Sequence, residues 1–281
     1  MQKPTGRAML EANNTLSISV MSGKGGVGKT NIALNMAYAL FHQGSPTLLM
    51  DCDLGLANLD VLLGVAPERN LEDLLQEGVE ARDVLVPLEA EGLDFLPAAS
   101  GVPELVEWDN DLQTVLFHKL NECFTPYHYL LLDLGAGINS TVLTLASMTK
   151  LQCVVITPEP TSLTDGYALI KVLFTKKKLK NFFILVNRVA SDQEGQEAFS
   201  RLQAACERFL GIKLSLLGII HEDSALTQAV LKQIPLFKYA PESTANGNIQ
   251  AMASRIQKFR QRIRPSLSEA LNLDSFLSDD S

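Results

Sequence analysis

Residues 21 to 31, MSGKGGVGKTN, place two lysines five positions apart in a glycine-rich loop. The span from Gly23 to Thr30 satisfies G-x-x-x-x-G-K-[ST], with an apolar strand-like run before it and a helical segment from Asn31 to Phe41 after it. Residues of these types, so spaced, bind phosphate. Gly23, Gly25, Gly26, Val27 and Gly28 form a cradle whose backbone N–H groups curl round a β-phosphate, and Asn31 completes the nucleotide-contacting set. Lys29 reaches the β and γ oxygens, and the Thr30 hydroxyl ligates magnesium. Lys24 has no such task within one chain. Its side chain leaves the loop pointing away from a nucleotide held by the same subunit, and in a monomer it reads as a solvated lysine. A chance glycine loop is the competing reading of the motif, and the flanking strand and helix disfavour it.

Three carboxylates follow strands in the same way. LLMDCDLGLANLD ends a second apolar run, and strand alternation puts Asp51 and Asp53 on one side with Cys52 on the other. A surface turn would carry the same residues, but beside a phosphate loop two carboxylates can serve magnesium and water. YHYLLLDLGAGI ends in Asp133, where a carboxylate holds a magnesium-bound water, and the GAG that follows permits close backbone approach. No glutamate base lies nearby, so hydrolysis should be slow. ILVNRVA brings Asn187 and Arg188 to the end of a later strand, where helix capping and nucleotide contact are both open.

The elements that must position these residues are legible as short apolar runs between longer amphipathic segments: 16–21, 46–51, 93–97, 129–134, 152–158, 182–187 and 214–220. Most are apolar on both faces, as strands of a parallel sheet covered by helices on both sides should be. The pattern predicts an α/β fold with a doubly wound, mostly parallel sheet of about seven or eight strands, and ligands beyond the carboxyl ends of the strands. Helices are expected at 161–174, 193–210 and 222–233. A last core helix follows from Asn248, with Ile249, Met252, Ile256, Phe259 and Ile263 on one face and Pro265 ending it. Ser266 and Glu269 have capping-box spacing, and Leu267, Leu271 and Leu277 suit a short acidic helix. The expected division is an amino-terminal segment 1–14, a nucleotide-binding domain 15–264 and an acidic carboxyl-terminal helix or tail 265–281.

Composition narrows the options. A chain of 281 residues with net charge −8 can bury one sizeable core, and it lacks the excess of Lys and Arg that neutralises a nucleic-acid backbone. Cys52, Cys123, Cys153 and Cys206 lie far apart with no C-x-x-C pair, which reads as buried reduced thiols rather than a metal site. The absence of an 18-residue apolar run or a signal-peptide core leads to the expectation of a protein that is neither exported nor membrane-spanning.

The whole string KGGVGKT resembles the deviant Walker A signature of the MinD/ParA class of P-loop ATPases, and the likeness covers roughly residues 15 to 260. It implies ATP/ADP and Mg2+ as cofactors, and a homodimer formed when ATP is bound. In that dimer Lys24 crosses to the partner's nucleotide and neutralises charge on the transferring phosphoryl group, as an arginine finger does. The resemblance makes Lys24, Lys29 and Asp53 the catalytic set, with Asp53 orienting the attacking water. Thr30, Asp51 and Asp133 serve the magnesium, Asn58 belongs to a first switch, and Asn187 with its neighbour Arg188 contacts adenine. Gly135 departs from the class pattern D-x-[AP]-A-G-I, and His221 stands where the class often has proline.

DCDLGLANLDVLLG, PAASG and EPTSLTDGYALIK look most like the flagellar-number regulators of the FlhG and FleN type. That likeness implies a slow ATPase switch controlling flagellar number or placement through an effector protein, whether a flagellar transcription activator, a flagellar GTPase or a basal-body component. It sets Glu159 and Asp165 near the dimer interface, Asp165 as the resting partner of the signature lysine, with helix capping as their alternative role. It implies a cytoplasmic protein that can visit the membrane or cell pole. Two departures matter. The amino-terminal D-Q-A motif associated with stimulating a partner GTPase is absent from MQKPTGRAMLEANN, and the carboxyl terminus, with Glu269, Asp274, Asp279 and Asp280, lacks MinD's basic membrane helix. Membrane contact is therefore expected to be weak or absent, and the tail suits a protein surface. FTKKKLKNF groups Lys176, Lys177, Lys178 and Lys180, either solvated or facing an acidic partner. The alternative within the class is a MinD- or ParA-type ATPase positioning another cargo; ParA needs a basic DNA-binding face, and no direct DNA contact is expected here. An iron-sulfur scaffold lacks its cysteines, and a metabolic kinase leaves Lys24 without a role.

Overall fold

The computed structural model describes residues 14–53, 58–90, 92–98, 110–267 and 270–271. β1 (Leu16–Ser22) runs into the phosphate loop and α1 (Lys29–His42), then β2 (Thr47–Cys52) and α2 (Leu59–Leu63). Two 3-10 turns lead to β3 (Val86–Glu89) and β4 (Leu93–Leu96). Strands and helices then alternate: α3 (Asn110–Phe124), β5 (Tyr129–Ala136), α4 (Ser140–Met148), β6 (Leu151–Ile156), α5 (Pro160–Lys176), β7 (Phe182–Val189), α6 (Asp192–Leu210) and β8 (Ser215–His221). α7 (Ser224–Leu231), α8 (Leu236–Tyr239) and α9 (Thr244–Ile263) follow.

Among the described residues the strands make one eight-stranded sheet in the order β3-β4-β2-β5-β1-β6-β7-β8, parallel throughout except for β3 on β4. The doubly wound α/β fold expected from the apolar runs is the fold observed. Only β3 went unmarked by such a run. Its four residues include Pro87 and are half-buried or exposed, as suits an edge strand that need not donate a full ladder of hydrogen bonds. β1 is central and buried at every residue, with β5 on one side and β6 on the other. The chain therefore winds in one direction through β2 and β4 and in the other through β6, β7 and β8, and the loop after β1 lies at the reversal, where open α/β sheets bind ligands.

Apolar side chains fill both faces. One layer packs α1 and α9 against the sheet through Ala37, Leu40, Ile249, Met252 and Ile256; the other packs α3 to α6 through Leu120, Leu145, Leu169 and Leu202. The predicted face of α9 is the core face, although Phe259 and Ile263 stay half-exposed at its end. The helix starts four residues before Asn248, because Ser243 caps it by accepting from Asn246 N and Asn246 is itself buried. It stops at Ile263, and a 3-10 turn holding Pro265 follows. Ser266 donates to the Ile263 carbonyl; the rest of the expected acidic helix, including Glu269 and Leu277, lies outside the described residues. Leu267 joins the α1–α9 layer and Leu271 the opposite one. All four cysteines are buried and unpaired, and no described helix is long and apolar enough to cross a membrane.

Arg260 ties α9 to that same end of the sheet. Its guanidinium is buried, donates to the carbonyls of Asn14 at 2.9 Å and His128 at 3.1 Å, and lies 5.5 Å over the Tyr129 ring. Arg260→Ala is expected to destabilise the protein by about 2 kcal/mol, because the Asn14 and His128 carbonyls lose a charged donor at once and the packing over Tyr129 is lost. Urea denaturation measures this, and a loss below about 0.5 kcal/mol would show that water replaces the guanidinium freely.

Candidate functional site

The loop after β1 is shaped by two close approaches. A Cβ at Gly23 would collide with the backbone carbonyl of Asp165 on α5. Gly28, at φ +92°, caps α1 in the left-handed region, and a Cβ there would lie 2.5 Å from the Asn187 amide nitrogen. Asn187 is buried and donates Nδ2 to the Val27 carbonyl at 2.8 Å, so the end of β7 braces the loop from beneath. Gly25, Gly26, Lys29, Thr30 and Asn31 line a cleft of about 440 Å³, opposite Asp53 and Asn58.

Lys29 is turned inward. Its ammonium lies 2.8 Å from Asp133 Oδ1 and 3.4 Å from the Thr30 hydroxyl, with both members of the ion pair buried. Asp133 is the cross-strand neighbour of Asp51 on β2 and of Val20 on β1. Burial pushes the Asp133 carboxyl up, opposed by Lys29. Its other oxygen, Oδ2, is buried and has no hydrogen-bond partner among the described residues. An orphaned carboxylate oxygen beside a threonine hydroxyl fits a hard cation such as Mg2+. The described residues hold no group of three or more His, Cys, Asp or Glu arranged for a metal, so phosphate and water oxygens must complete any such shell.

Asp51 and Asp53 part company. Asp51 is buried and accepts from the backbone N–H groups of Asp53 at 3.0 Å and of Asn58 and Leu59 at 3.3 Å, pinning the start of α2 beneath the cleft. Burial, with Asp133 adding to it, pushes the Asp51 carboxyl up to about 7, against the pull of those three N–H groups. Asp53 stays half-exposed on the cleft wall. A Cβ at Gly135 would meet Asp53 Oδ1 at 3.4 Å, ordinary contact, so the glycine leaves a methyl-sized gap behind that carboxylate.

Lys24 is turned outward, away from the cleft. Its ammonium lies 2.5 Å from Glu159 and 3.0 Å from the Thr161 hydroxyl at the start of α5. The lysine holds the Glu159 carboxyl below its ordinary range. This corrects the resting partner implied for the lysine: it is Glu159, not Asp165. Asp165 lies further along α5 with its backbone against Gly23, while Glu159 stands just ahead of the helix, facing the lysine. Glu159 occupies the N-cap position without making a cap bond, since the lysine takes its carboxylate.

A second cleft adjoins the first and shares Gly28, Asn31 and Arg188 with it. Asn187, Asp223, Leu226 and Leu231 line the rest. Arg188 is a non-glycine residue at φ +58°, an uncommon conformation that turns β7 outward at the junction of the two clefts. Asp223 caps α7 by accepting from Ala225 N at 2.9 Å, and its other oxygen accepts from Ala245 N at 3.1 Å. The His221 N–H donates to Asn248 Oδ1 at 3.1 Å, a bond that a proline there could not make. Thr161, Asn248 and the α7 wall were not anticipated. Asp223 ahead of SALT carries a cap signal, whereas Thr161 and Asn248 gain their roles only from distant partners.

The chain matches the CobQ/CobB/MinD/ParA nucleotide binding domain over residues 18–236. It is 38% identical over 242 residues to the antiactivator FleN of Pseudomonas aeruginosa, spanning 86% of each chain. It is 34% identical over 244 residues to the flagellum site-determining protein YlxH of Helicobacter pylori, spanning 85% of this chain and 81% of that one. Among solved structures, the septum site-determining protein MinD complexed with Mg-ADP from Pyrococcus horikoshii is similar with a TM-score of 0.66 and 27% identity, over 89% of this chain and 98% of that one.

The raised Asp51 carboxyl has a signed consequence. Its value rises from 3.8 to about 7 on folding, so its contribution to stability is complete below about pH 4 and is lost as pH climbs through 7. In nucleotide-free protein, Asp51→Asn should gain thermal stability relative to wild type between pH 5 and pH 8. A melting-temperature difference that is flat over that range would show that Asp51 does not titrate within it in the folded protein.

Proposed function

The chain belongs to the CobQ/CobB/MinD/ParA nucleotide-binding family, and from that premise we propose that it is an ATP-driven regulatory switch: it binds MgATP, pairs with a second copy, hydrolyses ATP slowly and acts on an effector protein to set flagellar number or placement. The observation that carries this reading is the opposite use of the two loop lysines, Lys29 buried on Asp133 and Lys24 held outside on Glu159. A lysine that serves only its own nucleotide would have no reason to be outside.

In this reading the loop N–H groups cradle the β-phosphate, and Lys29 exchanges Asp133 for phosphate oxygens when ATP enters. Thr30 and Asp133, steadied by Asp51, would hold Mg2+, which supplies charge neutralisation for the γ-phosphate. Asp53 orients the attacking water. Lys24 leaves Glu159 and reaches the partner's nucleotide, adding positive charge where negative charge develops. Support for a face-to-face pairing comes from Val61 and Leu231, 59% and 71% exposed at the mouths of the two clefts, and from Ile138, 47% exposed beside them. The effector role rests on likeness to an antiactivator and a flagellum site-determining protein.

The two lysines should separate binding from turnover. Lys29→Ala should abolish ATP binding with the fold intact, while Lys24→Ala keeps ATP affinity within about 3-fold and loses dimerisation and hydrolysis together, the latter by on the order of 10³. Calorimetry, sizing with and without ATP, and phosphate release test this. Mixtures of Lys24→Ala with Asp53→Ala should regain partial turnover, because one of the two mixed sites combines an intact Asp53 with an intact partner lysine. Mixtures that never recover would place Lys24 in its own site.

The base follows from the same geometry. Asn187 gives its amide N–H to Val27 at 2.8 Å, which leaves Oδ1, an acceptor, for the base. An acceptor suits the exocyclic amine of adenine and repels the carbonyl of guanine. ADP should therefore bind at least about 10-fold more tightly than GDP; equal affinities in a competition titration would remove Asn187 from base recognition.

A further inference from the structure

At the end of the sheet opposite the nucleotide clefts, lysines stand ahead of three neighbouring strands. Lys150 precedes β6, Lys180 precedes β7 and Lys213 precedes β8, each within two residues of its strand. The strands are adjacent and nearly level: Gln152 pairs with Phe182, so Lys150 is level with Lys180, and Phe183 pairs with Ser215, so Lys213 is level with Asn181. Three lysines therefore stand in a row across about 10 Å, the width of two strand spacings. No Asp or Glu occurs in the sequence between Asp165 and Asp192, in a chain whose acids outnumber its bases 32 to 24. Among the described residues Lys150, Lys180 and Lys213 take part in no ion pair.

Helix-dipole complementarity explains part of this charge and not the row. Lys176 lies in the last turn of α5 and Lys178, at φ +57°, donates to the Thr175 carbonyl, so these lysines close the helix. Lys150, Lys180 and Lys213 follow the last residues of α4, α5 and α6 by two, four and three positions, past the caps Thr149, Lys177 and Gly211. Phe209, on the last turn of α6 and four residues before Lys213 in sequence, is 65% exposed, with its ring against Tyr167 of α5 and the Arg208 guanidinium 5.3 Å over it. Glu207 is the nearest acid in sequence.

We infer that this end of the α5–α6 layer is a docking surface for a short acidic segment of a partner protein carrying an apolar anchor. Acidic side chains of the segment pair with the lysine row, and the anchor packs on Phe209. A short segment fits better than an extended polyanion. Duplex DNA or an anionic bilayer needs a basic face wider than the roughly 10 Å row, and the chain as a whole carries a net charge of −8. The surface lies at the opposite end of the strands from the phosphate loop, so a partner seated there stays bound whichever nucleotide is held. In this it differs from an effector captured only by the ATP-bound dimer, and it does not depend on the ATPase reading.

The test uses the full chain and a fluorescent peptide, acetyl-Glu-Asp-Glu-Phe-Asp-Glu-Leu-Glu-amide, followed by anisotropy. Binding is expected to weaken about 10-fold between 50 and 300 mM salt. It should weaken at least 10-fold in the triple variant Lys150→Gln, Lys180→Gln, Lys213→Gln, and several-fold in Phe209→Ala. It should be unchanged in Lys29→Ala and on adding ADP, which keeps this inference distinct from the nucleotide reading. Undiminished binding by the triple variant, with its fold confirmed by circular dichroism, overturns the proposal, as does equal binding of a peptide with serine in place of Phe and Leu. Two further outcomes reassign the surface: lysine-dependent binding to phosphatidylserine vesicles or duplex DNA without peptide binding, or peptide binding that emerges only after residues 272–281 are deleted, which would give the site to the chain's own acidic terminus.

Discussion

The buried contact between Lys29 and Asp133 is the point on which the rest of the site turns. A buried ion pair is a weak source of stability, because desolvation offsets much of the attraction. What it does here is keep two charges of opposite sign at the middle of the sheet without a ligand. Asp133 can be there because β5 lies between β2 and β1, so its carboxylate is level with Asp51 on one side and beside the phosphate loop on the other. Lys29 can be there because Gly28 turns the chain into α1 with a backbone conformation that a side chain would strain. Phosphate oxygens entering the loop compete for a lysine whose present partner is a poorly hydrated carboxylate.

Around that pair the secondary elements act as braces rather than as walls. β7 sends Asn187 under the loop, α5 meets Gly23 through its backbone, and the start of α2 hangs from Asp51 by two N–H bonds. Each brace joins a part of the cleft to a different element of the sheet. A change in the position of α2, which carries Val61 and follows Asn58, must therefore be felt at Asp51 and, through the neighbouring strand, at Asp133. That coupling is the physical requirement for a switch: contacts at the phosphate end and contacts at the exposed apolar rim are biased by the same few bonds.

The outward lysine shows how a weak interaction can suit a moving part. Lys24 and Glu159 are both solvent-exposed, and an ion pair of that kind is worth little. It can be exchanged readily for a stronger charge. The inward pair is shielded and the outward pair is not, so one motif holds two lysines of the same chemistry in two different environments. The sheet's opposite end repeats the theme of unsatisfied charge with lysines that no described acid neutralises, at a distance from the nucleotide that keeps the two surfaces independent.

Much of this was legible in the residues alone, and the limit is instructive. The phosphate loop, the parallel sheet, the α9 core face and Asp133 on an apolar strand follow from local signals: fixed spacing, apolar runs and helical period, each set by backbone geometry within a few residues; the strand itself runs on past Asp133 to Ala136. β3 was not, because an edge strand of four residues is stabilised by its neighbour and not by its own pattern. The partner of Lys24 was not, because choosing Glu159 over Asp165 depends on how α5 lies against Gly23, a contact between residues 142 positions apart. The orientation of the Asn187 amide depends on a carbonyl 160 residues away, and the lysine row depends on the register of β6, β7 and β8. Local chemistry determined what each residue could do; strand order and register, which bring together what the chain separates, decided which partner each one has.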